Sequence, residues 1–262
     1  MKALAARRRH PLATVVLLLL GLAFTGAAYA AVAPQKADAS TTSTGDVQKG
    51  HELFLANCAT CHGMQATGTR AAPSLVGVGA AAVDFQVGTG RMPMQQTGPQ
   101  ALQKPAELND QDIRDLSAYV ASLGPGPAIP SPDMVQPKTD ARALANGQEL
   151  FRVNCAMCHN VVGAGGALTR GKFAPSLHGV SGEHIYEAMV TGPQSMPVFN
   201  DANITPQDKQ DIISYLSYVD EQPSPGGLAL GSLGPVAEGF FIWAVGVVLL
   251  IACAVWLGAK SS

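Results

Sequence analysis

Charge is scarce in this chain: of 262 residues only 14% are Asp, Glu, Lys or Arg, while 47% are hydrophobic. That leaves enough apolar material for one or two cored domains plus something unusually apolar. Basic residues are scarcest where a polyanion would need them. Between residues 34 and 235 there are 12 Lys and Arg against 18 Asp and Glu, which excludes nucleic acid as a partner and suits either a basic protein partner or a simply solvated acidic face. Strand-like alternation is also nearly absent, so the expected fold is all-α. Cysteine is limited to five positions, and no output domain of a sensor protein is recognisable.

Two segments carry the apolar excess. Residues 1–33 open with Lys2, Arg7, Arg8 and Arg9, continue through an apolar run and end in small residues, the pattern of an export signal. Ala28-Tyr29-Ala30 suits cleavage after Ala30, and the stretch from Leu12 to Val32 is equally long enough to remain as an N-terminal anchor. Near the other end, "FFIWAVGVVLLIACAVWLG" at 240–258 is uncharged over nineteen residues and reads as a transmembrane helix, assigned to 236–258. Glu238 precedes this span and Lys260 follows it, so charge asymmetry at both ends places the 259–262 tail in the cytoplasm and the intervening chain on the outer face of the cell membrane. Cys253, inside the span, reads as a small apolar residue.

The other four cysteines fall into two identical frames, "CATCH" at 58–62 and "CAMCH" at 155–159. Four cysteines in an exported chain would ordinarily suggest disulfides. Cys-x-x-Cys followed at once by His is instead the signature of c-type heme attachment. Two thiols one helical turn apart can add to the two vinyl groups on one porphyrin edge, and the next residue's imidazole then lies under the iron. Cys58 and Cys61 are therefore expected to hold one heme c and Cys155 and Cys158 a second, with His62 and His159 as proximal iron ligands.

The surrounding sequence repeats as well. "GHELFLANCATCHG" at 50–63 matches "GQELFRVNCAMCHN" at 147–160, "APSLVGV" at 72–78 matches "APSLHGV" at 174–180, and "QDIRDLSAYV" at 111–120 parallels "QDKQDIISYL" at 207–216. A tandem duplication follows. Each copy starts with a helix capped by Asp46 or Asp140 and closes with another opened by Asn109 or by Thr205-Pro206. The expected layout is a polar lead-in at 34–45, a first module at 46–123, a Pro/Gly-rich linker at 124–139 that is extended and semi-stiff, a second module at 140–221 and a looser tether at 222–235. A module of about 80 residues is marginal alone, and a large flat cofactor would complete its core.

Iron in such a site has a sixth position, and a thioether there favours the reduced state and leaves no vacancy for oxygen or peroxide. Met64 follows His62 too closely to reach the opposite face, Met157 lies inside the attachment motif, and Met189 has core spacing on a short helix after Glu183. Met92 and Met196 alone share a following proline, in "TGRMP" and "TGPQSMP", and proline biases the residue before it towards an extended conformation that projects its side chain. Met92 and Met196 are the expected distal ligands, and Met94 is assigned to packing in the heme pocket. His51, His178 and His184 read as surface or propionate-contacting residues, and Arg91 as either a propionate partner or a solvated side chain.

With these residues in hand, both copies resemble class I cytochrome c domains. The resemblance implies that the first and last helices cross through a glycine and an aromatic four residues on, Gly50 with Phe54 facing Tyr119 and Gly147 with Phe151 facing Tyr215. The full-length layout, together with "PSLVGVGAAAVDFQVGTGRMP", is similar to the diheme cytochrome c subunits of actinobacterial cytochrome bc complexes, which are menaquinol:cytochrome c oxidoreductases. It implies cytochrome b and Rieske iron-sulfur subunits as partners, a terminal heme-copper cytochrome oxidase as acceptor, and no catalytic residue in the chain itself. A pair of hemes on a flexible linker would then act as a wire. Competing expectations are a cytochrome subunit of another membrane dehydrogenase or oxidase and a diheme peroxidase; the C-terminal position of the anchor argues against the cbb-type oxidase subunit, and two Met-Pro loops argue against the peroxidase.

Overall fold

The computed structural model describes residues 11–32, 45–96, 98–222 and 235–259. The basic residues at 2 and 7–9, the lead-in over 34–44, the tether over 223–234 and Lys260 with the rest of the tail lie outside the described residues. Met1–Ser40 forms one compact unit and Thr41–Ser262 the other. In the first unit, α1 spans Pro11–Val32, uncharged along its whole length and built mainly of Leu, Val and Ala.

In the second unit the first copy contributes α2 (Val47–Asn57), α3 (Ala59–His62), α4 (Ala80–Gly88) and α5 (Asp110–Ser122). A short helix α6 (Pro132–Val135) interrupts the linker. The second copy contributes α7 (Ala141–Asn154), α8 (Ala156–His159), a hairpin of two short strands, β1 (Gly166–Ala167) and β2 (Phe173–Ala174), then α9 (Gly182–Thr191) and α10 (Pro206–Glu221). The fold is thus mostly helical, as expected. At the C-terminal end α11 (Pro235–Phe241), a π-helical stretch (Ile242–Val247) and α12 (Val248–Ala259) run on as a single apolar helix, with Ala237–Ala259 long enough to cross a bilayer.

The caps form as read from the sequence. Asp46 accepts from the Gln48 and Lys49 amides, Asp140 from Ala143 and Asn109 from Asp112, while Thr205 and Asp208 build a reciprocal capping box with Pro206 behind it. The middle helix α4 was not expected: "AAAVDFQVG" lacks a side-chain cap and its apolar residues do not lie on one stripe, so only burial on several sides sustains it.

Each module is organised by the crossing of its first and last helices. A Cβ on Gly50 would lie 2.0 Å from the Asp115 carbonyl oxygen, and one on Gly147 would lie 1.9 Å from that of Asp211. Only glycine permits the two backbones to touch there. Four residues on, Phe54 meets Tyr119 at 5.3 Å between ring centroids and Phe151 meets Tyr215 at 5.6 Å. Phe54 and Phe151 are fully buried, each contributing about 1.5–3 kcal/mol of apolar burial beyond the aromatic contact itself. Around these pairs lie two cores, one of Val83, Val87, Ile113, Leu116 and Val120, the other of Ile185, Met189, Ile204, Ile212 and Leu216.

The linker does not act as a free spacer. Pro127 O accepts from the Ala81 amide at 3.1 Å, Gln210 Nε2 donates to the carbonyls of Asp133 and Gln136 at 2.7 and 2.9 Å, and Lys138 Nζ meets Asp211 Oδ1 at 2.8 Å. Its prolines stiffen it, and its carbonyls, which proline cannot deprive of acceptor capacity, supply the attachment points. The modules also dock directly, α4 against α9. The Gln100 side-chain amide brackets Phe173, its Oε1 accepting from Phe173 N and its Nε2 donating to Phe173 O, both at 2.9 Å, as a further strand would. The expectation of a flexible inter-domain linker is therefore replaced by two modules fastened to each other and strapped by the chain between them.

Gly147→Ala is expected to destabilise the second module by about 2–3 kcal/mol through forced separation of α7 and α10, whereas Gln148→Ala on the exposed face should stay within about 0.5 kcal/mol; denaturant unfolding followed by heme absorption measures both.

Candidate functional site

Each attachment motif is shaped by the way the first helix ends. Cys58 and Cys155 are C-caps in the same bent conformation, φ −122° and −120°, with their amides on Phe54 O and Phe151 O. One more turn follows, in which the amides of Cys61 and His62 both return to Cys58 O at 3.1 and 2.9 Å, and those of Cys158 and His159 return to Cys155 O at the same distances. The turn stops where the chain takes a positive φ, +81° at Gly63 and +67° at Asn160, the two residue types that tolerate it best. The two thiols of each motif therefore lie one turn apart beside the imidazole that follows.

The imidazoles are held from behind. His62 Nδ1 lies 2.8 Å from Pro73 O and His159 Nδ1 lies 3.0 Å from Pro175 O. A carbonyl accepts only from a protonated nitrogen, so the proton sits on Nδ1 and Nε2 is left as a free lone pair, the tautomer a metal-ligating histidine requires. Burial lowers the His159 pKa against the opposing pull of Pro175, which keeps the ring neutral. The "APSL" repeat owes its place to this contact: proline supplies the carbonyl, and Leu75 and Leu177 tie the segment back through their amides to Ala66 O and Gly163 O at 2.8 and 2.7 Å. These carbonyls were the part of the site not expected, although the repeat itself was the signal for them.

His62 and Pro73 are 11 residues apart, whereas His159 and Pro175 are 16 apart. The additional residues of the second copy fold into the β1–β2 hairpin, so its strands are an insertion that leaves the histidine anchor unchanged.

The sulfur atoms separate into two groups. Cys58 and Met92 both pack against the first core, and Cys155 and Met196 against the second, although 34 and 41 positions separate them in the sequence. Met64 and Met157 point outward at 68% and 94% exposure, and Met189 is buried at 2% within the second core. Met94, expected to pack in the pocket, is exposed on the far side of Pro93. In the second copy a cleft of about 800 Å³ opens between Cys158 and Ser195, the neighbour of Met196, rimmed by Leu168, Arg170 and Lys172. Burial pushes the Cys58 and Cys155 thiols up to about 11, so neither is a standing anion.

The remaining candidates take other places. His51 lies against Tyr119 at 4.9 Å, and His178 pairs with Asp220 at 2.5 Å on the surface. Arg91 is not solvated: it is 8% exposed with its guanidinium 4.9 Å above the Phe85 ring. His184 sits at the docking surface of the two modules, edge-on to Phe85 at 6.1 Å and 3.8 Å from Asp84 Oδ2, rather than on the open surface.

Two family models match the chain. Residues 47–124 match the family model described as cytochrome c, and residues 142–216 match that of cytochrome C oxidase, cbb3-type, subunit III. Whole proteins align as well. Over 97% of its length the chain is 40% identical to a Corynebacterium efficiens protein, covering 90% of it; over 99% it is 41% identical to one from Corynebacterium diphtheriae, covering 99%; over 97% it is 41% identical to one from Mycobacterium bovis, covering 93%. All three carry the name cytochrome bc1 complex cytochrome c subunit.

Proposed function

The chain belongs to the cytochrome c subunits of cytochrome bc1 complexes, and from that premise we propose that it is a membrane-anchored diheme wire, taking electrons from the Rieske centre of a quinol-oxidising complex and delivering them to a terminal heme-copper oxidase. Its two cytochrome c domains carry two covalently bound heme c groups. Heme supplies reversible one-electron chemistry. The chain's own residues do the rest. Cys58 and Cys61 would fasten the first group and Cys155 and Cys158 the second, with His62 and Met92 as the residues that would ligate the first iron and His159 and Met196 the second.

One observation carries this reading: in each of two mutually docked modules, a cysteine of the attachment turn and the methionine before a proline arrive on the same core. A thioether opposite an imidazole leaves no open position for peroxide, which favours electron carriage over peroxidase chemistry. The strapped linker and the docked α4 and α9 supply a fixed path between modules, so the transfer needs no swinging domain. The assignment of the C-terminal helix as anchor, with the modules outside and the tail in the cytoplasm, rests on its apolar length and on the charges flanking it. Cytochrome b and the Rieske subunit are the partners this role requires, and the complex as a whole is the quinol:cytochrome c oxidoreductase.

A second reading has one observation behind it. The second module matches the cbb3-type subunit III family, which suits a subunit of an oxidase instead. Purification in mild detergent separates the two: b-type heme, an iron-sulfur protein and a-type heme are expected to accompany the c-type signal, and recovery with an oxidase or dehydrogenase but no Rieske protein would contradict the proposal. For the ligands, Met92→Leu is expected to abolish the weak long-wavelength sulfur-to-iron band of the first ferric heme, while Met94→Leu leaves it intact; loss of the band in the Met94 variant alone would place the ligand on the wrong side of Pro93.

A further inference from the structure

We propose that Asp84, His184 and Glu187 form a binding site for a divalent transition cation, zinc by preference, that clamps the two heme modules together. Asp84 lies on α4 of the first module, and His184 and Glu187 lie on α9 of the second, three residues apart and so on one helix face. One donor atom from each residue lies within 4.8 Å of the other two, with His184 Nε2 at 3.8 Å from Asp84 Oδ2. Donors at about 2.0–2.2 Å from a shared ion stand about 3–4 Å from each other, so the cluster is close to the required size.

The independent sign is Glu187. Its side chain is fully buried, and neither carboxylate oxygen meets a hydrogen-bond donor. What it faces is another carboxyl group, Asp84. Two carboxylates turned towards each other in a buried interface need a cation or a proton between them.

The surrounding charges leave room for a positive ion. Asp84, Glu183 and Glu187 face Arg91 and Arg114, with Asp110 adding a further negative charge near Asp84. Carboxylates therefore outnumber guanidiniums. The imidazole is already oriented: Phe85 stacks edge-on against His184, and Gly88 clears its Nε2, since a Cβ there would come within 3.2 Å. A mixed imidazole and carboxylate set selects zinc and its transition-metal neighbours over calcium or magnesium, which prefer oxygen alone. Glu183 or water would complete four-coordination. Because the donors come from both modules, the ion binds only when they are docked, and its binding energy therefore holds α4 on α9.

The test uses the full-length, untagged chain with both hemes, purified in detergent, stripped with chelator and equilibrated with zinc alone. Elemental analysis is expected to give one zinc per two hemes. Saturating zinc, at about 100 times its dissociation constant, should raise the thermal midpoint followed at the heme band by several degrees. His184→Gln and Asp84→Asn should each lose both the retained zinc and the thermal shift while keeping two hemes; Glu187→Gln is the third variant, and the first two keep the test open where it fails to fold. Equal zinc retention by wild type and the His184 and Asp84 variants would overturn the proposal. So would an infrared carbonyl band of a protonated carboxyl group that persists in saturating zinc and disappears in Glu187→Gln, since that identifies a shared proton in place of the ion.

Discussion

The close approach of two helix backbones at a glycine is the contact on which each module depends. At Gly50 and Gly147 the first helix lies directly on the last, with a Cβ-sized gap missing at the carbonyls of Asp115 and Asp211. That approach seats Phe54 on Tyr119 and Phe151 on Tyr215, and it fixes where the first helix must end. The end is the attachment turn. Cysteine as C-cap, a second turn to histidine, and a glycine or asparagine stop are consequences of a helix held at one point and released a few residues later. The loop methionines Met92 and Met196, proposed as the second ligand of each iron, pack on the same cores as the attachment cysteines, so the crossing organises both groups of residues.

Duplication sets two copies of this device side by side, and a constant separation of the copies favours electron transfer between them. The structure secures that with contacts invisible in either copy alone: α4 against α9, Gln100 bracketing Phe173, and a proline-rich strap whose carbonyls accept from Ala81 and Gln210. The rate of electron transfer falls steeply with distance, so a docked pair serves a wire better than a tethered one. The second copy also shows how far one half can diverge without harm. Its longer path from His159 to Pro175 is absorbed by a hairpin, while the histidine–carbonyl contact is kept.

Local chemistry was legible in the sequence. Asp46, Asp140, Asn109 and Thr205 cap helices because an N-cap needs only its own side chain and the next few amides, and Cys-x-x-Cys-His declares its purpose within five residues. The internal repeat exposed the methionine–proline pairs, since Val198 stands two positions after Met196 where Met94 stands after Met92. What was not legible depends on partners far along the chain. The helix at 80–88 has no cap and no single apolar stripe, because it is buried from two sides, Val83 and Val87 against the first core and the rest of the helix against the second module. Pro127, Asp133 and Gln136 look like spacer residues until the carbonyls are seen to meet Ala81 and Gln210. His184 read as a surface residue because nothing near it in sequence announces Asp84 a hundred positions earlier. Arg91 read as a solvated side chain or a propionate partner, and the solvated alternative fails because Phe85, six residues back across a turn, lies beneath its guanidinium.

In the proposed assignment each of the two like modules would ligate its iron with the histidine of the attachment turn and the methionine of the proline loop. Electron paramagnetic resonance of the fully oxidised, full-length protein tests it most directly. Two low-spin ferric signals of histidine–methionine type in equal amounts are the expected result, with no change on adding cyanide at low concentration. A high-spin signal from either heme, or a bis-histidine signature, would contradict the account.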